Sequence, residues 1–280
     1  MYRERCLVKD NKKVAPGHYR LTLVSSRIAK AARPGQFVQI LCSDSCDPLL
    51  PRPFSFLTAT ARDFSVLYHV VGKGTHLLSQ AKAGDSLWVL GPLGNGFTDR
   101  GSWIVDRGSK ILLVGGGVGI PPLYHLAQAL TRGKSKGFAR NISVFLGARS
   151  KAFLLCEKDF KKLGVRTYAA TDDGSKGRRG LVTEAVGEFL ERIAHSAERR
   201  AEMEGIALYG CGPTPMLKAL SVISKKHEVP CEISVEVPMA CGFGVCLGCA
   251  VKVADARQGV RYAMACTEGP VFGADQIVGE

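Results

Sequence analysis

Leu112-Leu113-Val114-Gly115-Gly116-Gly117-Val118-Gly119-Ile120-Pro121-Pro122 runs from a bare apolar stretch through a glycine turn into residues that suit the start of a helix. Glycines permit a tight turn and a close approach of backbone to ligand, and a helix N-terminus offers free N–H groups to a phosphate. Proline in the first helical turn is well tolerated. The turn is not a strict G-x-G-x-x-G, because Pro121 stands two residues after Gly119. A plain strand-to-helix turn would not need four glycines among residues 115–119. The stretch predicts a dinucleotide site in a doubly wound α/β domain.

Outward from it the rhythm continues. Apolar runs at Ile111–Val114, Ile142–Leu146, Val165–Ala170 and Ile206–Tyr209 alternate with helical patterns at Pro122–Leu130 and Met216–Lys225. A further helix carries Val186, Leu190, Ile193 and Ala197 on one face. Strands alternating with helices imply a parallel sheet, and the expected domain covers residues 101–228. Ligands of such sheets gather at the C-terminal ends of the strands. Two more strand ends qualify: Tyr209-Gly210-Cys211-Gly212-Pro213 and Thr171-Asp172-Asp173-Gly174-Ser175. Arg149, Ser150 and Lys151 could accept a 2′-phosphate, but their plainer reading is solvated surface.

Residues 1–100 read differently. Short β-type runs at Tyr19–Val24, Phe37–Leu41, Phe54–Thr58, Phe64–Val71 and Ser86–Leu90 are separated by turns, with one helix over Thr75–Lys82. That spacing predicts an antiparallel barrel. Arg52-Pro53-Phe54-Ser55 lies within it, and His69-Val70-Val71-Gly72-Lys73-Gly74-Thr75 leads a strand into the helix. The second segment offers backbone N–H groups to a phosphate, and Arg52 would add charge-assisted hydrogen bonds. The plain alternative makes Thr75 a helix cap and Arg52 a surface ion-pair partner.

Residues 229–280 are rich in glycine and cysteine and are expected to form a small module. Cys241, Cys246, Cys249 and Cys266 are spaced C-x4-C-x2-C-x16-C, and the first three intervals match the plant-type pattern for a [2Fe–2S] cluster. Four thiolates must converge on two irons, and Gly242, Gly244 and Gly248 let a loop fold tightly around them. A four-cysteine zinc site is the alternative, but such sites usually pair their ligands as C-x2-C twice.

Composition limits the function classes. The chain of 280 residues is 46% hydrophobic and 22% charged, as in an ordinary globular protein. No apolar run approaches a membrane span, and the start of the sequence has no apolar signal core, so a cytoplasmic setting is expected. The net charge of +13 would suit nucleic acid or an anionic cofactor. The basic residues are not interleaved with aromatics, and no nucleic-acid-binding motif appears, which leaves a zinc-knuckle nucleic-acid protein as a remote rival. Six of ten cysteines lie outside the C-terminal motif: Cys6, Cys42, Cys46, Cys156 and Cys231 are expected to be small packing residues, and for Cys211 packing is only the alternative to a place in the nucleotide site.

The order of R-P-x-S, G-x-G-T and the Gly-rich strand–helix turn resembles the ferredoxin–NADP reductase superfamily. The resemblance implies that FAD is bound by Arg52, Pro53, Phe54 and Ser55, by His69, Val70 and Val71, and by Gly74 and Thr75. It implies that NAD(H) is bound by Gly115, Gly116, Gly117, Val118 and Gly119, and by Asp172, Gly210, Gly212 and Pro213, with Cys211 beside the nicotinamide. With the C-terminal motif and Cys266-x-Glu268-Gly269-Pro270-Val271-Phe272, nearly the whole chain is similar to the electron-transfer subunits of NAD-dependent dihydroorotate dehydrogenases. That family implies a partner subunit carrying FMN, in a heterotetramer of two plus two, and electron flow through the cluster and FAD to NAD+. Flavin/[2Fe–2S] subunits of ferredoxin–NAD(P) oxidoreductases or hydrogenase complexes share these motifs and form the nearest rival.

Overall fold

A computed structural model describes residues 1–98, 110–194 and 205–278. It divides into two compact units. The expected N-terminal antiparallel β-barrel and doubly wound α/β domain are borne out.

The first unit holds residues 1–97, 237–251 and 262–271. Its centre is a closed antiparallel barrel of β1 (Tyr2–Ala15), β2 (His18–Val24), β3 (Phe37–Ile40), β4 (Arg52–Ala59), β5 (Asp63–His69) and β6 (Ser86–Leu93). The strand order is β1-β2-β5-β4-β3-β6, and closure leaves no sheet edge to be protected. Leu21, Leu23, Ile40, Phe56, Phe64, Val66 and Tyr68 fill the interior. Helix α1 (Ser26–Ala31) is capped by the Ser25 hydroxyl, which accepts from the Ile28 N–H at 3.1 Å. Helix α2 (Lys73–Gln80) follows β5, which ends at His69, so Val70 and Val71 lie beyond the strand rather than within it. Strand β1 was not anticipated. Only Cys6 and Val8 of its side chains are fully buried, and its charged residues mask the alternation.

The second unit holds residues 98–236, 252–261 and 272–280. Its sheet runs β10-β9-β8-β7-β11-β12-β15. The strands are β7 (Lys110–Gly116), β8 (Ile142–Ala148), β9 (Arg166–Thr171), β10 (Arg178–Arg179), β11 (Ile206–Cys211), β12 (Cys231–Ser234) and β15 (Val271–Gly273). Strands β7 to β12 pair in parallel, which brings their C-terminal ends to one edge. Helices α3 (Ile120–Thr131), α4 (Lys136–Ala139), α5 (Glu157–Lys162), α6 (Val182–Ala194) and α7 (Thr214–His227) connect them. Val186, Leu190 and Ile193 of α6 are buried in the core of this unit, while Ala197 lies outside the described residues.

The stretch expected as a separate module is shared between the units. Its first residues form β12, because Cys231 and Ile233 fit a buried parallel strand. Residues 237–251 and 262–271 then pack with the barrel. Between them run β13 (Ala250–Asp255) and β14 (Gly259–Met264), which pair as a hairpin. Cys46 departs from the packing role expected of it: it is exposed in the polar turn Ser43–Asp47. Cys156 is only half-buried and adopts a left-handed φ of 58° ahead of α5. Among the described residues no helix is long and apolar enough to cross a membrane.

Candidate functional site

In the barrel unit, Arg52 opens β4 and Gly74 lies in the first turn of α2, yet a Cβ placed on Gly74 would stand 3.2 Å from the Arg52 Nε. The guanidinium is braced by Nη1, which donates to the Leu50 carbonyl at 2.6 Å. Thr75 turns back on the chain: its hydroxyl accepts from the N–H of Val71 at 2.9 Å and of Gly72 at 3.2 Å. This is the capping role that sequence offered as the plain alternative, and it preorganises the turn at the helix start. Pro53 and Ser55 alternate with Phe54 along β4, and Phe54 packs against Tyr68 with ring centroids 5.6 Å apart. His69 stacks on His18 at 4.3 Å. Val71 is 76% exposed. An arginine beside the free N–H groups of a helix start fits the diphosphate of a flavin nucleotide.

In the α/β unit, β7 ends at Gly116, a single 3-10 turn covers Gly117–Gly119, and α3 follows. Gly117 has a φ of +56° and open space where a Cβ would be. Gly119 is confined: a Cβ there would stand 2.4 Å from the Cys211 carbonyl oxygen. A Cβ on Gly212 would stand 3.2 Å from the Gly116 nitrogen and 2.6 Å from the Met216 Cε. The two glycine turns are thus pressed together, with Gly115 registered against Cys211 and Pro213 capping α7. A cradle that admits only glycine fits a pyrophosphate lying against backbone. Asp172 stands apart, two strands along the same edge, with its N–H on the Ala148 carbonyl at 3.1 Å.

Cys211 is buried. Desolvation first, and then the charge of Glu236, hold its thiol far above the ordinary range, against the pull of the Ser234 hydroxyl. Glu236 retains solvent access, but the protein around its carboxyl desolvates it and raises its pKa. Ser234 and Glu236 were not singled out from sequence as site residues. The available signal was an acid two residues beyond the end of β12, just ahead of the cysteine motif.

The cysteine segment lies on the barrel. Gly242 (φ +80°), Gly244 (φ +90°) and Leu247 (φ +57°) bend the loop. A Cβ on Gly244 would meet the Thr267 Cγ2 at 2.8 Å. The Cys246 N–H points at the Cys241 sulfur, 3.5 Å away. Burial opposes ionisation of Cys241, but backbone N–H groups of Phe243, Cys246 and Val245 outweigh it and hold the thiol at about 6. Burial and the adjacent Cys249 push Cys266 up to about 12. The Cys246 thiol helps to lower the pKa of Cys241, while Cys249 and then Cys241 raise that of Cys266, so the four thiols act on one another. Four such thiols, with backbone N–H donors on the Cys241 sulfur, would fit an iron–sulfur centre. Among the described residues, no three His, Cys, Asp or Glu side chains converge as ligands of one ion.

Two side-chain amides seat this segment. Gln39 of β3 donates to the Ala240 carbonyl at 3.5 Å. Asn95 donates to the Thr267 and Glu268 carbonyls at 3.0 and 3.1 Å. Neither was found from sequence.

Comparison with known proteins agrees with this geometry. Residues 236–278 match the iron–sulfur cluster binding domain of dihydroorotate dehydrogenase B, and residues 113–221 match the oxidoreductase NAD-binding domain. The dihydroorotate dehydrogenase B (NAD(+)) electron transfer subunit of Desulforamulus reducens is 40% identical over 95% of both chains. Its counterpart from Caldanaerobacter subterraneus is 39% identical over 99% of both. A solved NADH-dependent reduced ferredoxin–NADP oxidoreductase, described for flavin-based electron bifurcation, covers 98% of this chain and 89% of its own. It is 30% identical with a TM-score of 0.78. A ferredoxin–NADP+ reductase from Neisseria gonorrhoeae, 14% identical at a TM-score of 0.64 over 81% of this chain and 92% of its own, shares the fold. By its identity to these relatives over nearly its full length, the chain belongs to the family of dihydroorotate dehydrogenase B electron transfer subunits.

Proposed function

We propose that this chain carries electrons between a dihydroorotate-oxidising partner subunit and NAD+, using an iron–sulfur centre, FAD and NAD(H). The observation that carries the reading is the seating of the four-cysteine segment on the same barrel unit that holds Arg52 and Gly74. Bound FAD supplies the junction between a two-electron nicotinamide and a one-electron cluster. In this reading residues 1–100 serve the flavin, 101–228 the nicotinamide nucleotide and 229–280 the cluster.

Arg52 and the start of α2, with Gly74 and Thr75, receive the flavin diphosphate. Pro53, Phe54 and Ser55, with His69, Val70 and Val71, line the ring. Gly115, Gly116, Gly117, Val118 and Gly119 receive the pyrophosphate of NAD(H), with Gly210, Gly212 and Pro213 closing against them and Asp172 farther along the edge. Cys211 borders the nicotinamide as a neutral thiol, with Ser234 and Glu236 orienting it. Cys241, Cys246, Cys249 and Cys266 hold a [2Fe–2S] cluster, and the N–H groups around Cys241 stabilise it as thiolate. The partner carries FMN, the assembly is two plus two, and the complex works in the cytoplasm. Dihydroorotate is oxidised on that partner, and this chain does not oxidise it alone.

The test is an anaerobic absorption spectrum with and without NADH. Flavin and iron–sulfur bands that bleach with NADH support the reading. Bands that bleach only with NADPH favour a ferredoxin–NADP oxidoreductase subunit, the reading to which the 0.78 TM-score neighbour gives weight. Dihydroorotate oxidation by the pure chain without a partner overturns the assignment.

A further inference from the structure

Gln39 occupies a position in β3 where an apolar residue would be expected, between Val38 and Ile40. It is registered against Pro53 of β4 and Leu90 of β6, and it is 1% exposed. Its Nε2 reaches the Ala240 carbonyl, one residue before Cys241. Gly242 presses on the same side chain, so closely that a Cβ would stand 2.7 Å from the Gln39 Cγ. Its Oε1 is buried and has no hydrogen-bond partner. Gln39 also lines a cavity of about 530 Å³ together with Leu41, Trp88, Cys241, Phe243 and Cys246.

A buried amide with one unsatisfied end is costly, because the orphaned acceptor has left water without gaining a partner. Leucine or methionine would fill the same space without that penalty. What an apolar residue cannot do is hold the Ala240 carbonyl. What a charged residue cannot do is hold it without adding charge beside the thiolates. The potential of an iron–sulfur centre responds to nearby hydrogen bonds, charge and burial.

We propose that Gln39 is a positioning residue for the iron–sulfur loop. One end of its amide clamps the Ala240 carbonyl, and the other is a neutral acceptor buried beside the cavity that Gln39, Cys241 and Cys246 line. This one side chain, registered against the strand read as flavin-binding, fixes the surroundings in which the centre is reduced. The proposal rests on the function proposed above.

The experiment compares the full chain, purified anaerobically, as wild type, Gln39→Glu, Gln39→Met and the barrel-core control Val66→Ala. The readouts are the electron paramagnetic resonance spectrum of the reduced centre, its midpoint potential and the rate of iron release to a chelator. Gln39→Glu keeps the size but replaces the donor with a negative charge, so the potential moves to more negative values. Gln39→Met loses the clamp, and iron leaves ~5-fold faster, the equivalent of one hydrogen bond of about 1 kcal/mol. Val66→Ala lowers thermal stability and leaves spectrum and potential unchanged. Wild-type spectra, potential and iron release in both Gln39 variants overturn the proposal. Should the Met variant fail to fold, the isosteric Glu variant decides alone. A wild-type chain without any iron–sulfur signal overturns the functional reading itself, and that result is visible before any variant is made.

Discussion

The guanidinium of Arg52 lies across the backbone of Gly74, with Nε 3.2 Å and Cζ 3.3 Å from where a Cβ would project. Twenty-two positions apart in sequence, the two meet because β4 and β5 are antiparallel neighbours and α2 follows β5. Arg52→Ala is expected to weaken FAD binding about ten- to a hundred-fold, the range of one or two charge-assisted hydrogen bonds. Flavin retained at wild-type level through gel filtration would remove Arg52 from the site.

A glycine-to-alanine pair tests the nucleotide turn. Gly119→Ala places a Cβ 2.4 Å from the Cys211 carbonyl, and the backbone there must shift. A loss of about 1–3 kcal/mol in stability and a loss of bleaching by NADH are expected. Gly187→Ala, in α6 with no atom within 4 Å of the new Cβ, should instead stabilise the chain by ~1 kcal/mol. Equal effects at the two sites, measured by thermal unfolding, would refute the close approach.

Thiol accessibility follows burial. Among the cysteines outside the C-terminal motif, Cys46 is exposed and should be alkylated first in the native chain. Cys6 and Cys231 are buried and desolvation pushes each up to about 12, while Cys211 is held higher still by the same cause. These three should react only on unfolding. Peptide mass spectrometry after a short pulse of iodoacetamide at neutral pH reads the order, and early labelling of Cys211 would contradict it.

His125 of α3 sets an acid limit. Burial, and next the charge of Arg132, lower its pKa from 6.5 to about 4. The unfolded chain therefore takes up this proton first as pH falls, and stability is lost between about 6.5 and 4. The contribution at stake is about 3 kcal/mol. His125→Leu should flatten the acid side of the denaturation midpoint against pH. An unchanged slope would mean that other groups govern it.

What could be read from sequence was what local chemistry enforces. Glycine runs at 115–119, the C-x4-C-x2-C spacing and the apolar runs of β7, β8 and β11 declare themselves because each requirement is satisfied within a few residues. The contacts missed are long-range. Gln39 looks like a flaw in an apolar strand until Ala240 arrives, and Asn95 like a turn residue until Thr267 does. Strand β1 stayed hidden for another reason. A barrel strand facing solvent along most of its length shows too few buried side chains to produce a period.

The way the chain returns to its barrel has a consequence for biogenesis. The amides that receive the iron–sulfur segment are synthesised early, and their guests come late: 201 residues separate Gln39 from Ala240, and 172 separate Asn95 from Thr267. Translation proceeds from the N-terminus at about 5–20 residues per second. The ribosome thus finishes the receiving surface well before the cysteines exist. If Cys266 is the fourth ligand, as proposed, iron can be installed in its seat only on a polypeptide translated through Cys266, and metallation reports that synthesis has reached that residue.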